Sequence, residues 1–146
     1  MNVPGLGARN QVISVFLREF DLPRAEAELI FDDLLKWLEI CRHPSRPAIF
    51  PCMYGIDQMW HSFILCTRAY AEFCADRFGD FVHHEPAVKE APLLDHPSAV
   101  QNHEQLMATI QRVVDCWGPA VATRWFGGES PVWGRRRIEG LRRRFE

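Results

Sequence analysis

Apolar residues recur at helical spacing along this chain, and the recurrence breaks wherever prolines gather. Val12, Val15, Phe16 and Phe20 follow a 3.6-residue period, which predicts a first helix ending near Asp21. Pro23 suits the first turn of a second helix, with Asp21 or Leu22 at the cap position. The stripe of that helix is Leu29, Ile30, Leu34, Trp37, Leu38 and Cys41, and it ends before Pro44. Pro44, Pro47, Pro51 and Gly55 mark a loop with a short extended piece at 48–50. The period resumes at Ile56 and runs to Phe78, with a break allowed near Thr67, and Gly79 is placed to close it.

Pro86, Pro92 and Pro97 make 80–97 an irregular connection. Ser98 can cap a last long helix to Trp117, stopped by Gly118-Pro119, with a short turn around 121–125 beyond it. The expected fold is all-α: about four to five helices with an irregular Pro-rich middle connection. Its expected organisation is a flexible arm over 1–10, a single helical domain over 11–127 and a basic Arg-rich tail over 128–146.

A chain of 146 residues with 47% hydrophobic and 25% charged residues has the size and make-up of one globular domain. Ten Phe and five Trp supply large apolar area for a core. Apolar runs are only a few residues long, so no membrane span is expected, and the N-terminus lacks the pattern of a signal peptide. Five cysteines (41, 52, 66, 74 and 116) at irregular spacing without C-x-x-C argue against a disulfide framework or zinc ribbon. Buried thiols in a reducing, cytoplasmic setting are the expectation.

The net charge of −2 hides an asymmetry. From Arg135 onward six Arg face only Glu139 and Glu146, so the tail is net +4 and the rest about −6. Such a tail can contact phosphates, or dock as a terminal helix on the chain's own acidic body. The acidic remainder speaks against a general nucleic-acid binder.

The chemistry-bearing stretch begins at D-Q-M-W-H and ends at H-H-E-P, from Asp57 to Pro86. On one helix Ile56, Trp60, Phe63, Thr67, Tyr70, Cys74 and Phe78 form a core stripe. Asp57 and His61, at i and i+4, meet on a neighbouring face. A carboxylate and an imidazole so placed support three readings. They can ligate a divalent metal such as zinc or iron, with His83 or His84 completing the set. They can do acid–base work, with Asp57 orienting a catalytic His61. Or they can form a hydrogen bond that tethers the following loop.

His83 and His84 follow a helix stop, and neighbours on an extended chain point to opposite sides, so at most one should reach Asp57 and His61. On a continuous helix Tyr70 and Cys74 project well away from that face and belong to the core, unless the helix breaks near Thr67 and folds back. Cys52 and Cys66 lack an activating neighbour and should be packing residues, and His43, His96 and His103 are solitary. No phosphate-binding glycine loop or G-x-S-x-G elbow is present.

This stretch resembles bacterial small proteins related to the glycine-rich domain-containing protein family, through Asp57, Trp60, His61, Tyr70, Cys74, Gly79 and His83-His84. The helix near 104–117 and the W-F at 125–126 are similar in a weaker way. The resemblance implies that these positions belong together, and it implies no particular reaction. The chain departs from the pattern by ending in arginines instead of a glycine-rich tail.

The functional expectation is a small soluble helical protein with a His/Asp polar site that binds a divalent metal; whether it is an enzyme stays open. The alternative is a protein- or peptide-binding accessory module. There the motifs lock a helix to a loop, and the binding surface lies at the Arg tail or at exposed aromatics such as Trp133.

Overall fold

The computed structural model describes residues 4–42, 49–84, 98–127 and 132–144. Among them are seven α-helices and no β-strand: α1 (Leu6–Glu19), α2 (Arg24–Cys41), α3 (Tyr54–Leu65), α4 (Thr67–Phe78), α5 (Ser98–Trp117), α6 (Pro119–Phe126) and α7 (Arg135–Gly140). A 3-10 turn, Pro51–Met53, leads into α3. The all-α expectation holds, with more helices than the four to five read from the sequence. The extra ones have local causes. The 56–78 stretch is two helices meeting at Cys66 (φ −87°, ψ 66°). The turn around 121–125 is a full helix that starts on Pro119, whose fixed φ suits a first helical position. A third addition, α7, lies in the basic tail. The prolines of 44–47 and 86–97, with His43 and His96, lie outside the described residues.

α1 begins at Leu6, inside the segment read as an arm over 1–10. Pro23 is the cap of α2 rather than a residue of its first turn. Of the predicted α2 stripe, Ile30, Leu34, Trp37, Leu38 and Cys41 are buried while Leu29 is exposed. Phe31 and Leu35 are buried in addition, because α2 is covered on more than one side. It packs against α1, α3 and α5. Ring contacts cross these interfaces: Phe31 meets Phe63 of α3 at 5.6 Å, and Trp37 meets Trp125 of α6 edge-on at 6.2 Å. Trp117 of α5 donates its indole N–H to the Lys36 carbonyl at 3.1 Å. No helix among the described residues is long and apolar enough to cross a membrane.

A carboxylate joins the far end of the chain to this core. Asp33 is 1% exposed on α2. It accepts hydrogen bonds from Trp133 Nε1 at 2.7 Å and from Arg124 Nε at 2.9 Å and Nη2 at 2.5 Å. A buried carboxylate is tolerable only with such charge-assisted partners. Trp133, expected among the exposed aromatics, is therefore a core residue at 2% exposure. Its carbonyl accepts from Gly55 N–H at 2.7 Å. A Cβ on Gly55 would meet Trp133 Cβ at 3.1 Å and Ile138 at 3.3 Å, so a larger residue there would push this segment a few tenths of an ångström from α3.

Ile138 is also buried. Arg143 N–H bonds the Glu19 carbonyl at 2.7 Å, and Asp21 N–H bonds the Leu141 carbonyl at 2.8 Å. Arg142 Nη1 reaches Glu19 at 3.1 Å, and Arg137 pairs with Glu26. The described part of the tail is thus docked on the acidic ends of α1 and α2.

Asp33→Ala leaves the Trp133 indole N–H without its buried acceptor while Arg124, partly exposed, turns to water. The expected cost is about 2–3 kcal/mol, read as a lowered unfolding midpoint in urea with an unchanged slope. Lys36→Ala, which removes a 3.8 Å neighbour of the same carboxylate and a distant 5.9 Å contact with the Trp117 ring, should change the midpoint little.

Candidate metal-binding site

The 3-10 turn feeds α3, which carries Asp57 and His61 one turn apart. At Cys66 the helix stops, and α4 starts from the Cys66 carbonyl, which accepts Tyr70 N–H at 2.9 Å. Gly79 then ends α4 with φ 74°, and its N–H returns to the Ala75 carbonyl at 3.1 Å. The non-helical segment 81–84 that follows runs back to α3.

There the two parts of the motif meet. His84 Nε2 lies 2.8 Å from Asp57 Oδ1 and 2.9 Å from His61 Nε2, and His61 Nε2 lies 3.6 Å from the same carboxylate oxygen. These three residues form the one group of potential metal ligands among the described residues. The side chain of His84 is only 7% exposed and that of Asp57 19%, whereas that of His61 is 41% exposed, so the cluster faces solvent on the His61 side. His83 is the member of the pair turned away: it is exposed, with its ring against Phe81 at 4.8 Å.

His84 is held in place by aromatic contacts. The Trp60 indole lies parallel to its imidazole, 4.2 Å away with 6° between the planes. Trp60 Nε1 donates to the Tyr70 hydroxyl at 3.0 Å, and that hydroxyl donates to the Val82 carbonyl at 2.5 Å. Tyr70 and Cys74 are fully buried, as expected of core residues. The wheel that pointed Tyr70 away from the site assumed one continuous helix. The turn at Cys66 brings its hydroxyl within reach of Trp60 and of the segment carrying His84. Nothing in the period of the sequence signals the Trp60–His84 stack, because the two residues are 24 positions apart.

Burial holds His61 below the ordinary imidazole range, against the opposing pull of the Asp57 charge, so its ring is largely neutral at pH 7. Neutral imidazoles and a carboxylate are metal ligands. Hydrogen bonds alone fit these atoms poorly. If His84 Nε2 carries a proton, that proton serves Asp57, and His61 Nε2 competes for it. If it carries none, two lone pairs face each other across 2.8 Å. Burial pushes the thiols of Cys52, Cys66 and Cys74 up, so all three are protonated and inert at neutral pH, in keeping with packing roles.

A family model described as UCP032817-like matches residues 10–113, from α1 to most of α5, with Asp57, His61 and His84 inside the match. No curated protein and no solved structure matches the chain. The matching model is not that of the glycine-rich domain-containing protein family, so the resemblance drawn from D-x-x-W-H, Tyr70, Cys74 and His83-His84 is corrected. About thirty residues around one helix and one loop carried it. Those residues answer to local packing and hydrogen bonding, which unrelated helical chains can share.

The tyrosines give a check on this geometry, since Tyr54 and Tyr70 are the only two in the chain. Burial raises both phenols above their ordinary value, Tyr70 far above it; at Tyr54 a hydrogen bond to Glu139 adds to the effect. A folded-state pKa above the unfolded one gives stability that is present below about pH 10 and lost as pH rises beyond it. Native protein should therefore show less tyrosinate absorbance at pH 10 than the unfolded chain, and the ionisation of Tyr70 should arrive together with loss of helical circular dichroism. Both tyrosines ionising near pH 10 with the helices intact would contradict the buried Tyr70 hydroxyl.

Proposed function

The chain belongs to the UCP032817-like family, and we propose that it is a divalent-metal-binding protein whose ion is held by Asp57, His61 and His84. The observation that carries the reading is the convergence of Asp57 Oδ1, His61 Nε2 and His84 Nε2 from two separate stretches of chain. Separations of 2.8, 2.9 and 3.6 Å place the three atoms on a circle of radius about 1.8 Å. Zinc–nitrogen and zinc–oxygen bonds are about 2.0–2.2 Å, so one ion could reach all three. It would also relieve the competition for a single proton.

Two imidazoles with one carboxylate and no thiolate suit zinc, and also iron(II). Zinc is the ion proposed. Three protein ligands leave a fourth position, and the exposed edge of His61 puts it towards solvent. That is the layout of a catalytic rather than a closed structural zinc site. A bound zinc lowers the pKa of its water to about 7, which supports hydrolytic chemistry. In this reading Asp57 and His61 act as ligands. Five cysteines at irregular spacing without a C-x-x-C support a reducing, cytoplasmic location.

The competing reading is a lock without metal, in which the 2.8 Å Asp57–His84 contact simply fastens the 81–84 segment to α3 and the protein acts as a binding module. Metal analysis of protein purified without a His-tag separates the two. Expected is close to one equivalent of zinc, retained through gel filtration in His83→Ala and lost there from His61→Ala, His84→Ala and Asp57→Asn, which keep only weak residual binding of added zinc. At 100 times the dissociation constant zinc should add about 2.7 kcal/mol of stability. Metal-free wild-type protein that takes up no added zinc or iron, together with a large stability loss in Asp57→Ala, would leave only the lock.

A further inference from the structure

We infer that Tyr70 is a positioning residue of the metal site, acting through the main chain at Val82 to set which histidine of the pair becomes the third ligand. The inference rests on the metal reading above. Asp57 and His61 are fixed relative to each other by the α3 backbone, as any i, i+4 pair is. The third donor has no such support. It sits on a segment beyond Gly79 that makes no helical hydrogen bonds of its own, and ordering a free segment opposes binding.

The Tyr70 hydroxyl supplies the missing constraint. It donates to the Val82 carbonyl at 2.5 Å and accepts from Trp60 Nε1 at 3.0 Å, so a single oxygen joins α3, α4 and the returning segment. Its ring also packs edge-on against Phe81 at 5.2 Å. The side chain of Val82 is buried as well.

Register follows from that anchor. Along an extended chain, side chains at i and i+2 share a side and the one between them points away. With Val82 turned inward, His84 is inward too and His83 is outward, as their burial shows. A slip of one residue would exchange the two histidines. Trp60, whose indole N–H is held by the Tyr70 oxygen, offers its face to His84 and fixes the plane of the imidazole. The break at Cys66 thus has a use: it turns α4 back so that Tyr70 can reach both partners.

Zinc titration of Tyr70→Phe, His84→Ala and the double variant tests this, each variant first checked for native circular dichroism. Supporting outer residues of metal sites typically contribute 10- to 100-fold in affinity, and a loss of that size is expected for Tyr70→Phe. Because Tyr70 acts through His84, the loss should vanish when Tyr70→Phe is made in the His84→Ala background. A general loosening of the fold would weaken residual zinc binding equally in both backgrounds and would overturn the inference. So would a Tyr70→Phe affinity within about twofold of wild type, the limit of additivity, and in that case the metal reading would stand.

Wild-type protein that binds no zinc overturns both. If Tyr70→Phe does not fold, Trp60→Phe carries the same test. It keeps a ring against His84 and removes the N–H to Tyr70, and a several-fold loss confined to the His84-containing background is expected. Unchanged affinity in that variant counts against the inference.

Discussion

The buried carboxylate of Asp33 is the interaction on which the arrangement of the chain rests. It is reached from α2, from Arg124 of α6 and from Trp133, so residues 91 and 100 positions away are tied to one side chain. A carboxylate that is 1% exposed is tolerable only while these donors are in place, and each donor is therefore held as firmly as it holds. Fixing Trp133 puts its main chain against Gly55, at the start of α3. The helix that carries Asp57 and His61 is thereby clamped between α1 and α2 on one side and residues 132–138 on the other.

The candidate site inherits that rigidity on one half and builds the other half separately. α3 places Asp57 and His61 side by side by its own geometry. His84 comes from a segment bonded through the Tyr70 hydroxyl and stacked on Trp60. The division matters for the chemistry, because an ion gains most from donors that converge before it arrives. The basic tail makes contacts of its own within the chain. Arg142 lies between Glu19, Glu139 and the Tyr54 hydroxyl, and Arg143 bonds the Leu17 carbonyl, so several of its charges are used within the chain.

The elements readable in advance were those set by short-range rules. The burial of Ile30, Leu34, Trp37 and Leu38 follows from a 3.6-residue period, and the end of α4 at Gly79 follows from a left-handed turn that glycine adopts without strain. The Asp57–His61 neighbourhood was equally local. Leu29 and Trp133 were misread because burial depends on what covers a surface, and the covering elements come from distant parts of the chain. The break allowed near Thr67 is found at Cys66, but with neither proline nor glycine beside it the sequence could not require it.

Sequence alone determined that this chain is helical, that its polar chemistry concentrates between Asp57 and His84, and that at most one of the paired histidines could serve. Those conclusions rest on spacing, which the geometry of helix and extended chain converts directly into faces. Tertiary structure decided that His84 is the one that meets Asp57 and His61, that the Tyr70 hydroxyl bonds the segment carrying it, and that Trp133 and several of the arginines fold back onto the body. Each of those depends on a turn, a register or a buried hydrogen bond between residues far apart in the chain. Local propensity carries no information about such pairings, because they form only when packed helices bring the groups within about 3 Å.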